Sequence, residues 1–221
     1  MTVVERIMLD EEWNQVMRGI DEMSVAQVGR EVDFDCWHGH GHARNVAKLA
    51  TDFLRQVGAS KREVVIGQVA GLVHDMGLIN GKKEHDKKGA LIVGEFLERI
   101  GGLSEEEIGM IVHAVANHSN GEEIGNNLDL AVLIADKMDV ARDRVAVGNR
   151  GLPQELGKIL EVKVRVEEEH MVLSWAVEGE FDFGVIAEWD KMVSVPRRVA
   201  EWLGKEFRFE VNGAGVSLEG V

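Results

Sequence analysis

At 221 residues the chain is long enough for one good-sized domain, or for one domain with a small appendage. Its 25 basic and 39 acidic side chains leave a formal charge of −14, which weighs against a broad electrostatic grip on nucleic acid or on an anionic membrane. Cys36 is the only cysteine, so an intramolecular disulfide and a thiolate zinc cage are excluded. The hydrophobic share of 45% is that of a soluble globular protein, and with no signal peptide or membrane-spanning apolar run the cytoplasm is the expected location.

Residues 10–29 are expected to form one or two short helices, with Asp10 as a cap and Trp13, Val16, Met17 and Ile20 on one face. Over 41–57, Val46, Leu49, Ala50, Phe53, Leu54 and Val57 follow the i, i+3, i+4 rule, and His42 falls on the same buried side. A helix over 61–78 puts Val65, Val69, Leu72, Val73 and Met76 toward the core and delivers His74-Asp75 near its end. Gly77 signals a stop, and a polar loop follows at 80–83. His85 opens a helix that Gly101-Gly102 ends, and Ser104 to Glu107 reads as a capping box for the next one. That helix carries Ile108, Ile111, Val112 and Val115 on one face, with His118 in line. A helix from about 128 to 147 places Asp136 on its apolar side, four residues after Val132.

The texture changes near Pro153. Val162, Val164 and Val166 alternate with charged residues, and Met171, Leu173, Trp175 and Val177 repeat the pattern after a turn at Glu169-His170. A helix over 181–203 follows, which Pro196 would kink or divide. Phe207, Phe209 and Val211 form a third strand, and Asn212-Gly213 turns into a short fourth at 216–218. The fold expected is mainly α: a helical domain over 1–152 and a small α+β (β-β-α-β) unit over 153–221. Such a tail must pack on its own helix or on the helical domain, chiefly closing the bundle. An exposed edge strand there would offer a surface for a homodimer.

A single His on the core side of a helix is usually a hydrogen-bonded core residue and nothing more. Here His42, His74, Asp75 and Asp136 each occupy the apolar side or the end of a core helix. Two imidazoles and two carboxylates suit a divalent transition metal (Mn, Fe, Co, Ni or Zn), since the carboxylates cancel its charge and the metal pairs the buried acids.

The same residues carry a resemblance. The order His42, His74-Asp75, Asp136 resembles the HD superfamily of metal-dependent phosphohydrolases, and so do the local words. These are His42-Ala-Arg-Asn-Val46, Gly71 through Gly77, and Ile134-Ala-Asp136-Lys-Met-Asp139. His85-Asp-Lys-Lys-Gly-Ala90 and Ile111 through His118 resemble the extra His motifs of two-metal members, and the likeness covers roughly 35–145. It implies that His42, His74, Asp75 and Asp136 ligate one ion, and that His85 and His118 hold a second with Asp75 bridging. It also implies His74 and Asp75 as the centre of catalysis, in which a metal-activated water attacks phosphorus. After His74-Asp75 the chain reads Met-Gly-Leu, where many relatives carry a Lys after the Gly, so one phosphate contact is missing.

Other residues are placed by spacing. His118 is favoured over His113, which is expected at the surface or behind the ligands. His38 and His40 are expected in a flexible surface approach, with a substrate contact open to His38, and His170 in a solvated turn. Asn45 points more nearly inward than Arg44 and is a substrate-binding candidate. Lys82, Lys83 and Lys87 are the others, with Lys88 beside them, although at least two of these lysines are expected to be only solvated loop. Asp139 is expected on the helix surface or behind the ligands, with Arg142 as its ion-pair partner. There is no Gly-x-Ser-x-Gly elbow, Walker loop or Gly-x-Gly-x-x-Gly loop.

Three functional classes stay open. The leading one is a phosphohydrolase that acts on a small phosphorylated substrate, a phosphoester or nucleotide, with one or two ions. The second is a di-iron oxygenase, since some members of the superfamily use a similar ligand set. The third is a non-catalytic metal-binding regulator.

Overall fold

A computed structural model describes residues 1–26, 38–121, 123–141, 154–188 and 190–217. The fold is mainly α, with a small C-terminal α+β appendage. The helices are α1 (Val3–Leu9), α2 (Glu11–Ala26), α3 (His40–Gln56), α4 (Lys61–Val73), α5 (His85–Ile100), α6 (Glu105–Asn117) and α7 (Asn127–Met138). Their starts are set locally. Thr2, Ser60, Ser104 and Asn126 each accept from the backbone N–H three residues on, and the acid there, Glu5, Glu63, Glu107 or Asp129, returns the bond. Each such box satisfies donors that a bare helix end would strand, worth about 1 kcal/mol. Asp10 caps α2 in the same spirit, through Oδ1 to the amides of Glu12 and Trp13.

Nothing in the sequence pattern pointed to α1; with seven residues it is too short to show a period, and it is held by burying Val3, Val4 and Ile7. The helix expected from 128 to 147 is corrected at its end: α7 stops at Met138, and residues 142–147 lie outside the described set. Asp139 follows the last helical residue, and its carboxylate is taken by α3. The helix expected over 61–78 also tightens, becoming a 3-10 turn over Met76–Asn80 after α4.

The core helices approach closely where glycine permits. A Cβ on Gly71 would strike the Ala47 backbone, so α4 lies directly on α3. A Cβ on Gly77 would strike the backbone of His85 and Gly89, so the 3-10 turn sits on the start of α5. These two approaches bring the His74-Asp75 link next to His42 on one side and His85 on the other. From Leu128 to Asp136 every residue of α7 is buried, as expected of a helix that is apolar on nearly every side.

The appendage holds β1 (Ile159–Val166), β2 (His170–Val177), α8 (Val185–Glu188), α9 (Lys191–Trp202), β3 (Glu206–Val211) and β4 (Ala214–Gly215), in the sheet order β1-β2-β3-β4. β1 and β2 are antiparallel, β2 and β3 parallel across the helical crossover, and β3 and β4 antiparallel through the positive-φ pair Asn212-Gly213. Three details differ from expectation, the first being that the short fourth strand lies at Ala214–Gly215 and not at 216–218. Pro196 sits inside α9 and does not divide it; the interruption falls between Glu188 and Lys191. His170 does not sit in a turn: it opens β2 and pairs with Glu206 at 3.2 Å. The boundary expected at 152–153 lies outside the described residues, and so does Leu218 of the expected fourth strand.

The appendage is fastened to the helices. α9 packs on α7, and β1 lies against α3. Gln56 of α3 accepts from the Val166 amide at 2.9 Å and donates to the Val164 carbonyl at 3.2 Å, which occupies part of the outer edge of β1. No single helix among the described residues is long and apolar enough to cross a membrane.

Candidate metal centre

Helix ends supply every candidate ligand. His42 stands in the first turn of α3, and His74 follows the last residue of α4, with Asp75 next in the link to the 3-10 turn. His85 begins α5, His118 follows the last residue of α6, and Asp136 lies in the last turn of α7. The fold brings all six together, and His74, Asp75, His42 and His118 are buried.

Asp75 divides the group in two. Its Oδ2 lies 3.4 Å from His42 Nε2 and 3.3 Å from His74 Nε2, and Asp136 Oδ1 completes this set at 3.3 Å from His42 Nε2. Its Oδ1 lies 3.5 Å from His85 Nε2 and 3.4 Å from His118 Nε2. Within each set the two imidazoles meet Nε2 to Nε2 at 3.1 Å.

The outer ring nitrogens explain why this arrangement fits a cation. His74 Nδ1 donates to the Gly71 carbonyl at 2.8 Å, His85 Nδ1 to Lys82 at 2.9 Å and His118 Nδ1 to Val115 at 2.7 Å. His42 Nδ1 donates to Asp139 Oδ2 at 2.6 Å. Carbonyls and carboxylates only accept, so each Nδ1 carries the proton and each neutral ring aims its Nε2 lone pair inward. Lone pairs then face lone pairs and carboxylate oxygens, a crowd of acceptors that a divalent ion reconciles. His42, His74 and Asp136 form one such donor group, and His74, Asp75 and His118 another.

The electrostatics agree. Burial would raise the Asp75 carboxyl, but the surrounding rings of His74, His118, His38 and His42 hold it well below the usual carboxylate range. Asp136 is likewise held well below that range against burial, by Lys137 and by His42. Burial pushes the His74 ring down despite Asp75. For His118 burial acts downward too, yet the bond to Asp75 raises it overall. Lys137 Nζ donates to Asp136 Oδ2 at 2.5 Å, which leaves Oδ1 to the centre.

Asp139 stands behind a ligand and His113 away from the centre, both within the expected alternatives, whereas His38 and His40 sit elsewhere than the sequence suggested. Asp139 is buried and holds His42, while Asn45 donates to its other oxygen at 3.1 Å, so Asn45 braces the ligand support. Arg142, the expected partner of Asp139, lies outside the described residues. His38 and His40 are no loose approach: His38 Nδ1 donates to Asp75 Oδ2 at 3.0 Å, and His40 is docked on Asp21, Asn14 and the edge of Trp13. The four-residue step from His38 to His42 was the one signal for that contact. His113 turns away and pairs with Asp129 at 2.9 Å. Leu78, two residues after Met76 where a lysine was missed, is buried and offers no charge.

A cavity of about 300 Å³ opens beside His85, with Lys82, Lys87, Asp86, Asn117, Ser119 and Asn120 in its wall. Lys83 is exposed and does not line it; its carbonyl accepts from Lys88 Nζ at 2.7 Å.

A family model of the HD domain matches residues 39–142. No curated protein matches the chain. The matched span runs from the cap of α3 past the end of α7, so it encloses all six candidate ligands and leaves the C-terminal appendage outside. By that match, and by the His and Asp groups gathered within it, residues 39–142 resemble the HD domain, a domain type that binds divalent metals.

Proposed function

We propose that the protein is a phosphohydrolase that cleaves a small phosphoester or nucleotide with two divalent ions. The observation that carries this reading is Asp75, whose Oδ1 faces His85 and His118 while its Oδ2 faces His42 and His74 and accepts from His38. His42, His74, Asp75 and Asp136 would hold one ion, and Asp75, His85 and His118 the other. Ions bound there supply charge for phosphoryl oxygens and a water that ionises near neutral pH. The chain's own part is to hold the ligands still. Asp139 and three backbone carbonyls fix the four rings, and the cavity beside His85 admits a small substrate. Lys82 and Lys87 line its wall and would meet phosphate oxygens.

The test begins with elemental analysis of protein purified without chelators. A panel of nucleotides and phosphoesters then follows, with Mn, Fe, Co, Ni or Zn, in air and without oxygen. Phosphate release that needs metal, persists without oxygen and disappears in Asp75→Asn supports the reading. Oxygen uptake restricted to the iron form, with no phosphate released, would replace it with an oxygenase.

A further inference from the structure

α9 lies outside the span of the HD match, yet its first residue reaches two residues in the wall of the cavity beside the centre. Lys191 Nζ donates to Asn120 Oδ1 at 2.9 Å and more weakly to the Ser119 carbonyl at 3.4 Å. Both residues line that cavity, and Ser119 Oγ lies 3.4 Å from His85 Nε2. Two helical turns on, Arg198 donates to the carbonyls of Asn120 at 3.1 Å and Gly121 at 2.6 Å. Residues seven apart share a helix face, so one side of α9 is built to grip the 119–121 loop that follows His118.

Charge adds a second argument. The Lys191 ammonium lies below the usual lysine range, because part of its water is displaced and because Lys137 and Lys82 are close; Asp190 and Asp136 act the other way. Lys137 and Lys82, from separate parts of the chain, therefore both lie near Lys191, in a chain whose net charge is −14. The hydrogen-bond acceptors of Lys191 are neutral oxygens, which hold the ammonium in place without cancelling its charge. Gathering like charges at one wall costs free energy, and an anionic ligand offsets that cost.

We propose that Lys191 binds a phosphate group in this cavity together with Lys82, so that the C-terminal appendage completes the substrate site. The identity of the anion rests on the phosphohydrolase reading; the position of the cation does not. The experiment is calorimetric titration of inorganic phosphate into metal-loaded wild type, Lys191→Gln and Lys191→Arg, at fixed ionic strength and matched metal content. Lys191→Gln is expected to weaken phosphate about tenfold, the order of one charge-assisted hydrogen bond, and Lys191→Arg to retain most of the affinity. Once a substrate is in hand, Lys191→Gln should raise KM by a similar factor with kcat within about twofold. Equal phosphate affinity in wild type and Lys191→Gln overturns the proposal, as does absence of phosphate binding to the wild type. A wild type that binds phosphate through Lys191 but hydrolyses nothing would sustain this proposal and remove the phosphohydrolase reading instead.

Discussion

The two donor sets that share Asp75 are built differently. The side chains of His42 and His74 are 0% exposed, whereas in the other set His118 is 1% exposed and His85, at 17%, faces the cavity. His42 alone is backed by a carboxylate, Asp139, which Asn45 holds in turn; His74, His85 and His118 are backed by single backbone carbonyls. A buried, carboxylate-backed ring is a more basic and better oriented ligand than an exposed one. The deep set is thus suited to keep an ion, and the shallow set to meet solvent and substrate.

Four substitutions would break or sharpen that contrast. Asp75→Asn strikes both sets at once. Metal content should fall for both ions, and phosphate release should drop by more than about 10²-fold, beyond what loss of an outer partner produces. Next, His85→Ala should remove one ion per chain and leave the other, read by elemental analysis after dialysis; equal loss of both would abolish the distinction between deep and shallow.

Asp139→Asn should weaken the deep ion by about 10- to 100-fold in a competition titration, with the shallow ion unchanged. The smallest effect is expected away from the ligands. Arg62 of α4 pairs with Glu107 of α6 at 2.6 Å and so ties together the helices that carry His74 and His118. Arg62→Ala should cost no more than about 1 kcal/mol in denaturant unfolding and leave metal content unaltered, since the pair is largely exposed. The Arg62 hydrogen bond first, and the Ser104 capping bonds with it, lower the Glu107 carboxyl from 4.5 to about 2. A carboxyl lowered on folding adds stability that is present above its unfolded value and is lost as pH falls. The difference between wild type and Arg62→Ala should therefore shrink between pH 4.5 and about 2.

Much of the helical half could be read along the chain because its signals are short in range. Ser104 and Glu107 are three residues apart, and the apolar faces repeat within one turn of the next. The β-β-α-β order of the appendage was readable for the same reason, from alternation and from Asn212-Gly213. His42, His74, Asp75, His85, His118 and Asp136 could be named as candidates because each interrupts an apolar pattern that has no local use for it.

What the chain order could not convey was partnership at a distance. Asp139 could stand on the helix surface or behind the ligands until α3, 97 positions earlier, presents His42 to it. His40 looks loose until α2 offers Asp21 and Trp13. Lys191 looks like a surface residue of a remote tail until α9 docks on α7 and meets Asn120, 71 positions away. Local composition selects which elements form and which side chains carry chemistry. Only the packing of distant elements decides which of those side chains meet, because hydrogen bonds and charges act through space at a few ångströms, whatever separates their owners along the backbone.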